Sequence, residues 1–128
     1  MKYLAFGLVA VVVLVAVVGC GSGTSGATSS KGKFGQAIPV DMAMTPAKDV
    51  LAAPKDFEGK DVLVKGKITS ECPSGGWVWL QDGSDQIYVN MHRTNVFIPQ
   101  KVGSTVRAMG KVVLEQGRPQ VEAIGLEF

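Results

Sequence analysis

The sequence predicts a small, mainly β domain, a closed five-stranded barrel with one short helix ahead of it. Three observations predict it. From Asp61 onward, apolar and polar residues alternate with period two over several short runs. Two of those runs, Trp77 to Gln81 and Ile87 to Met91, flank Asp82-Gly83-Ser84-Asp85, the pattern of a hairpin with a two-residue Gly-Ser loop. Two other runs hold an internal glycine in a near-repeat, Val64-Lys65-Gly66-Lys67-Ile68 and Ala108-Met109-Gly110-Lys111-Val112.

Phe34 opens the ordered domain, which is expected over residues 34–128. In Thr45-Pro46-Ala47-Lys48-Asp49-Val50-Leu51-Ala52-Ala53-Pro54, Thr45 can cap a helix, Pro46 suits its first position and Pro54 stops it. The helix is expected at about 45–53, with Val50 and Leu51 toward the core. Phe57-Glu58-Gly59-Lys60 reads as a turn. In the first strand Val62, Val64, Gly66 and Ile68 share one face. The hairpin supplies strands two and three, an irregular stretch runs from Thr94 to Gly103, and the fourth strand spans Thr105 to Leu114. The turn Glu115-Gln116-Gly117-Arg118-Pro119 leads to a last strand from Gln120 to about Ile124. Glycine inside a strand marks a bulge or sharp coiling where a sheet closes on itself. Five strands with glycine in the first and fourth fit an OB-like Greek-key barrel; the alternative is an open meander with incidental glycines.

The chain begins with Met1-Lys2-Tyr3 and an apolar run from Leu4 to Val18, short for a membrane span of about 20 residues. A basic start, an apolar core and small residues at the exit are the layout of a secretory signal. The exit Val17-Val18-Gly19-Cys20 resembles the lipobox of bacterial lipoproteins, with Val17 where Leu is more usual. That resemblance implies a signal peptide over 1–19, a diacylglyceryl group on Cys20, and Cys20 as the mature N-terminus. Gly21 to Ser30 is an uncharged Gly/Ser/Thr tether, and residues 20–33 are expected to hold the domain away from a bilayer. Acyl chains contribute roughly 0.8 kcal/mol per buried CH₂, so two or three anchor firmly. Gly21 is not the Asp that often marks retention at an inner membrane, so the expected address is the outer face of a bacterial membrane, the outer membrane where the host has one. The competing reading is an uncleaved anchor helix with Cys20 as a plain thiol.

The hydrophobic fraction of 46% owes much to the signal. Its loss removes one of 13 basic residues, against 11 acidic ones, which leaves a nearly balanced mature chain with no basic tract to attract nucleic acid. With Cys20 acylated, Cys72 has no intrachain partner, so stability must come from packing.

Several short motifs are spread along the domain. They are Phe34-Gly35-Gln36, Gly59-Lys60-Asp61-Val62 leading to Val64-Lys65-Gly66-Lys67-Ile68, the loop Cys72…Gly75-Gly76-Trp77, Phe97-Ile98-Pro99, and Met109-Gly110-Lys111-Val112. In these the stretch from Phe34 to about Val113 resembles a family of uncharacterised bacterial exported OB-fold proteins. The resemblance implies the fold and no activity. Members carry a second cysteine just before the tryptophan, where this chain has Gly76, so a disulfide or metal site built on the cysteine pair lacks one of its members.

The hairpin register can be derived. A Gly83-Ser84 loop pairs Asp82 with Asp85, hence Leu80 with Ile87 and Val78 with Val89 on one face. The other face carries Trp79 opposite Tyr88 and Trp77 opposite Asn90, with Gln81 and Gln86 beyond. Aliphatic side chains fill a small barrel, so Trp77, Trp79, Tyr88 and Asn90 should lie outside, on the strands where OB-folds bind ligands. Three readings of this cluster stand open. Phe34 to Met44 and the helix fold over it as a second small core, giving Phe34, Ile38, Met42, Met44 and Leu51 a place. Alternatively it is an open face for a protein, glycan or small apolar ligand, or it stacks bases as single-strand binders do, which the charge balance and export disfavour.

Cys72, Met91 and His92, with Met42, Met44 and Met109 elsewhere, are the candidate soft-metal ligands, and Cys72 with His92 is the candidate redox pair. Adjacent Met91 and His92 point to opposite faces, and no Cys-x-x-Cys or His-x-x-x-His spacing exists. The register places His92 roughly across from Gly75, at the end of the barrel that holds Cys72. One histidine, no Gly-x-Ser-x-Gly elbow and carboxylates scattered at turns (Asp56, Glu58, Asp61, Asp82, Asp85) argue against an enzyme. The reading is a non-catalytic, lipid-anchored envelope binding module that needs no cofactor beyond the lipid on Cys20. A Cu or Zn accessory protein using Cys72 and His92 is its rival.

Overall fold

The computed structural model describes residues 32–128; the signal peptide, Cys20 and most of the tether lie outside them. Among the described residues are six strands, β1 (Lys33–Gly35), β2 (Asp61–Glu71), β3 (Trp77–Asp82), β4 (Asp85–Asn90), β5 (Thr105–Glu115) and β6 (Arg118–Glu127), and two short helices, α1 (Ala47–Ala52) and α2 (Pro54–Phe57). Five strands close into a ring: β2 pairs with β3 and β5, β3 with β4, β4 with β6, and β6 with β5. All pairings are antiparallel except β4 with β6, where Tyr88, Val89 and Asn90 run parallel to Gln120, Val121 and Glu122. This is the OB-like Greek-key barrel that the alternation predicts. The open meander is excluded by the β5–β6 and β4–β6 pairings, which leave no free edge in the ring.

The interior follows from the pleat. Val62, Val64 and Ile68 of β2, Val78 and Leu80 of β3, Ile87 and Val89 of β4, Val106, Ala108 and Val112 of β5, and Val121, Ala123 and Leu126 of β6 form one buried cluster. Each Val, Leu or Ile so buried contributes roughly 1.5–3 kcal/mol. Gly66 and Gly110 face the same interior, where neighbouring strands cross too closely for a side chain. A Cβ on Gly66 would stand 2.7 Å from the Gln81 carbonyl oxygen, and one on Gly110 would overlap the Glu122 carbonyl. The β5–β6 register shifts beside Gly110, so the glycine and a bulge together coil the strand around the barrel.

The loops obey local backbone rules. Gly83, first of the two hairpin residues, has φ 64°, which L side chains resist. At the β5–β6 turn both Gln116 and Gly117 have positive φ, the requirement of a type I′ hairpin.

Four expectations need correction. A sixth strand, β1, lies outside the ring and pairs with the end of β6, Phe34 opposite Leu126. The last strand reaches Glu127 rather than Ile124, because a two-residue turn lets pairing with β5 begin at Arg118 and β1 extends it. Pro54 ends α1 but also begins α2, since proline is tolerated in a first turn. Thr45 is not the cap: its N–H donates to the Leu63 carbonyl, and the Asp82 carboxylate accepts the Ala47 N–H at 3.1 Å. Ala47 and Val50 are fully buried in the barrel cluster, whereas Leu51 is only half-buried.

The segment ahead of α1 makes a second small core, but not over the aromatic residues. Ile38 packs with Leu63 of β2 and Met109 of β5, joined by Met42 and Ile124. These are outward residues of β2, β5 and β6, and Met44 remains exposed. Among the described residues no helix is long and apolar enough to cross a membrane.

Candidate functional site

The hairpin register is the one derived above: Trp77 faces Asn90, Trp79 faces Tyr88 and Gln81 faces Gln86. Outward positions of two adjacent strands therefore carry a strip of three rings. The Trp79 and Tyr88 centroids are 5.1 Å apart, edge to face, and those of Trp77 and Tyr88 are 5.9 Å apart. Such pairs stabilise each other by about 0.5–1.5 kcal/mol and hold the rings in a fixed pose. Trp79 is 37% exposed, while Trp77 and Tyr88 are half-buried. The expected cover by Phe34 to Met44 is absent from this face, because that segment is committed to Ile38, Leu63 and Met109.

The strip borders a groove of about 260 Å³ between Trp79, Tyr88 and the β5–β6 hairpin, lined also by Glu115, Gln116, Arg118, Pro119 and Gln120. Sequence reasoning missed Gln120. The parallel pairing of Tyr88 with Gln120 brings it here, and no local pattern announces a parallel partner. Gln120 is 7% exposed. No group among the described residues hydrogen-bonds its carboxamide, whose remaining opening is the groove.

At the other end of the strip lies the β2–β3 loop. Gly75 has φ 77°, and a Cβ there would collide with the Ile98 carbonyl, so only glycine lets this loop pack on the Phe97-Ile98-Pro99 stretch. Glu71 strengthens the junction by accepting the N–H groups of Lys101 and Val102, and Gln100 donates to the Cys72 carbonyl. The Cys72 Sγ lies 2.9 Å from the Ser74 hydroxyl. That hydroxyl first, then the Ser74 backbone N–H, hold the thiol below its ordinary pKa against a smaller opposing effect of desolvation, with lesser help from the Gly76 and Gly75 N–H groups. Burial raises the Tyr88 phenol above its ordinary value, and the charge of the Cys72 thiolate adds to the rise.

The imidazole of His92 lies on Gly76, where a side chain would otherwise stand, and the Asn90 side-chain oxygen accepts the His92 backbone N–H at 2.9 Å. Met91 is fully buried and His92 exposed, so the two part as expected of adjacent residues. The thiol of Cys72 meets Ser74 rather than His92. Among the described residues no three of His, Cys, Asp or Glu come together in a metal-holding group. Met42 and Met109 belong to the second small core.

No protein-family model matches the chain, and no curated protein matches it. Among solved structures it is similar to a provisional aspartyl-tRNA synthetase from Leishmania major Friedlin, with TM-score 0.54 and 15% identity, over 72% of this chain and 21% of that one. It is also similar to the hypothetical protein ygiW from E. coli (TM-score 0.48, 19% identity, 63% of this chain and 84% of that one). A third is the telomere capping protein Ten1 from Saccharomyces pombe (TM-score 0.40, 18% identity, 56% and 71%). At such identity the likeness to the synthetase shows a shared fold alone, and this chain spans about a fifth of its length.

Proposed function

We propose that the mature chain is a non-catalytic binding module of the bacterial envelope, anchored through lipid on Cys20. Its ligand face is formed by Trp77, Trp79, Tyr88 and Asn90 with the Cys72–Gly76 loop, and the ligand is a protein or another envelope component. The observation that carries this reading is the uncovered aromatic strip. The same chain covers its aliphatic exterior residues with Ile38 and Met42, yet leaves three rings facing outward beside a groove. The strip lies on the second and third strands of the ring, next to the first–second and fourth–fifth connections, the usual ligand position on this fold. The apolar run and lipobox-like exit before Cys20 support an address outside the cytoplasm.

Steady-state fluorescence tests the open face. Trp79 should emit at long wavelength and be quenched by acrylamide, and Trp79→Phe should remove most of that quenching. Blue emission resistant to acrylamide from both tryptophans would end this reading. Intact-mass analysis tests the anchor: a mature chain starting at an acylated Cys20 is expected.

The metal reading has less behind it. A depressed thiol pKa favours soft-metal binding, but Ser74 supplies that depression, and among the described residues no group of three His, Cys, Asp or Glu side chains forms around it. Titration with Cu(I) or Zn(II), with Cys72→Ser as control, separates the readings; stoichiometric binding lost in the variant would favour the metal.

A further inference from the structure

The residues around the rings are unusual in kind. Gln81 follows Trp79 on the outward side of β3, Gln86 lies opposite it, Asn90 lies opposite Trp77, and Gln120 lies beside Tyr88. Four carboxamides thus frame three aromatic rings. The charged residues at the border come in both signs, Glu115 with Arg118 across the turn and Glu122 bound to Arg93 at 2.9 Å. Of the other exterior basic residues, Lys67 stands opposite Gln81 at one edge of the strip, while Lys65, Arg107 and Lys111 lie farther off on β2 and β5.

This chemistry selects among ligands. A single nucleic-acid strand needs cations along its phosphates beside the stacking rings, and here Glu115 and Glu122 offset the arginines. Gln81 already donates to the Gly83 carbonyl, and the Asn90 oxygen already accepts the His92 N–H. A purely apolar partner would cover the Gln86 and Gln120 amides, which no group among the described residues hydrogen-bonds, and leave them unpaired. A carboxamide both donates and accepts, which matches a hydroxyl that does the same. Aromatic faces pack well on the C–H faces of pyranose rings.

Resting on the open-face reading above, we propose that the strip is a platform for an uncharged glycan chain. Sugar rings lie along Trp77, Tyr88 and Trp79, and a sugar hydroxyl enters the groove to pair with Gln120. The three ring centroids step 5.9 and 5.1 Å along the strip, room for more than one sugar, so the site prefers oligomers to monosaccharides.

The test is titration of the full chain in detergent with cellohexaose and chitohexaose, read by tryptophan fluorescence and calorimetry. Saturable binding that hardly changes with salt is expected. It should fall about tenfold in Trp79→Ala, the loss of one ring contact. It should fall about threefold or more in Gln120→Leu, which removes the amide yet keeps the bulk, with far-UV circular dichroism unchanged in both. Silence toward both sugars together with binding of a twelve-residue oligothymidylate or a proline-rich peptide would overturn the glycan while sparing the face. Silence toward every probe, with both tryptophans shielded from acrylamide, would remove the open face as well. Binding undiminished in Trp79→Ala would place any sugar elsewhere and overturn the assignment.

Discussion

Two outer faces of one barrel are treated differently by the same chain. On β2, β5 and β6 the outward aliphatic residues Leu63, Met109 and Ile124 are capped by Ile38 and Met42, and beside them β2 and β5 carry Lys65, Lys67, Arg107 and Lys111. On β3 and β4 the outward residues are Trp77, Trp79 and Tyr88, framed by amides and left open. Aliphatic side chains offer water nothing, so exposing them costs only free energy. Indole and phenol rings carry a polar handle and can stand half in water, ready for a ligand. The covered face therefore belongs to stability, and the open one is the face to which the proposed function assigns recognition.

That contrast can be broken at its foundation. Gly110→Val sets a side chain against the Glu122 backbone, on which both faces depend, and should cost about 3 kcal/mol or more in denaturant unfolding. A Gly110→Val chain with unaltered midpoint would show that the strands do not cross as tightly as described. Leu63→Ala should rank next, at about 2–5 kcal/mol, because Leu63 is nearly fully buried beneath Ile38. Trp79→Ala should do the reverse, costing no more than about 1.5 kcal/mol of stability while removing most of the acrylamide-accessible emission. If Trp79→Ala destabilised as much as Leu63→Ala, the division between the two faces would collapse.

The smallest effect sharpens the end of the open face without disturbing the fold. The folded state lowers the Cys72 pKa, so its thiolate persists to lower pH than in the unfolded chain. Iodoacetamide alkylation should therefore reach half its limiting rate at lower pH in the folded protein. Ser74→Ala should move that midpoint upward, toward the unfolded value, with no change in the denaturation midpoint. An unmoved alkylation profile would mean that Ser74 does not hold the thiolate.

The legible part of this protein was local. A two-residue loop at Gly83-Ser84 and strict alternation on either side suffice to place Trp79 opposite Tyr88 and Leu80 opposite Ile87, because a hairpin's register is set by its turn and pleat. The internal glycines of the near-repeat announced closure for a similar reason: only a crossing backbone needs that space. What the tertiary structure alone decided is long-range. Phe34 to Met44 has no periodicity, and only barrel closure, by placing Leu63, Met109 and Ile124 on one outer face, determines where Ile38 lands. Asp82 caps a helix 35 residues earlier in the chain, and Gln120 reaches Tyr88 through a parallel pairing. Neighbours in sequence share a turn or a pleat and so constrain one another directly, whereas distant segments meet only where the closed ring puts them.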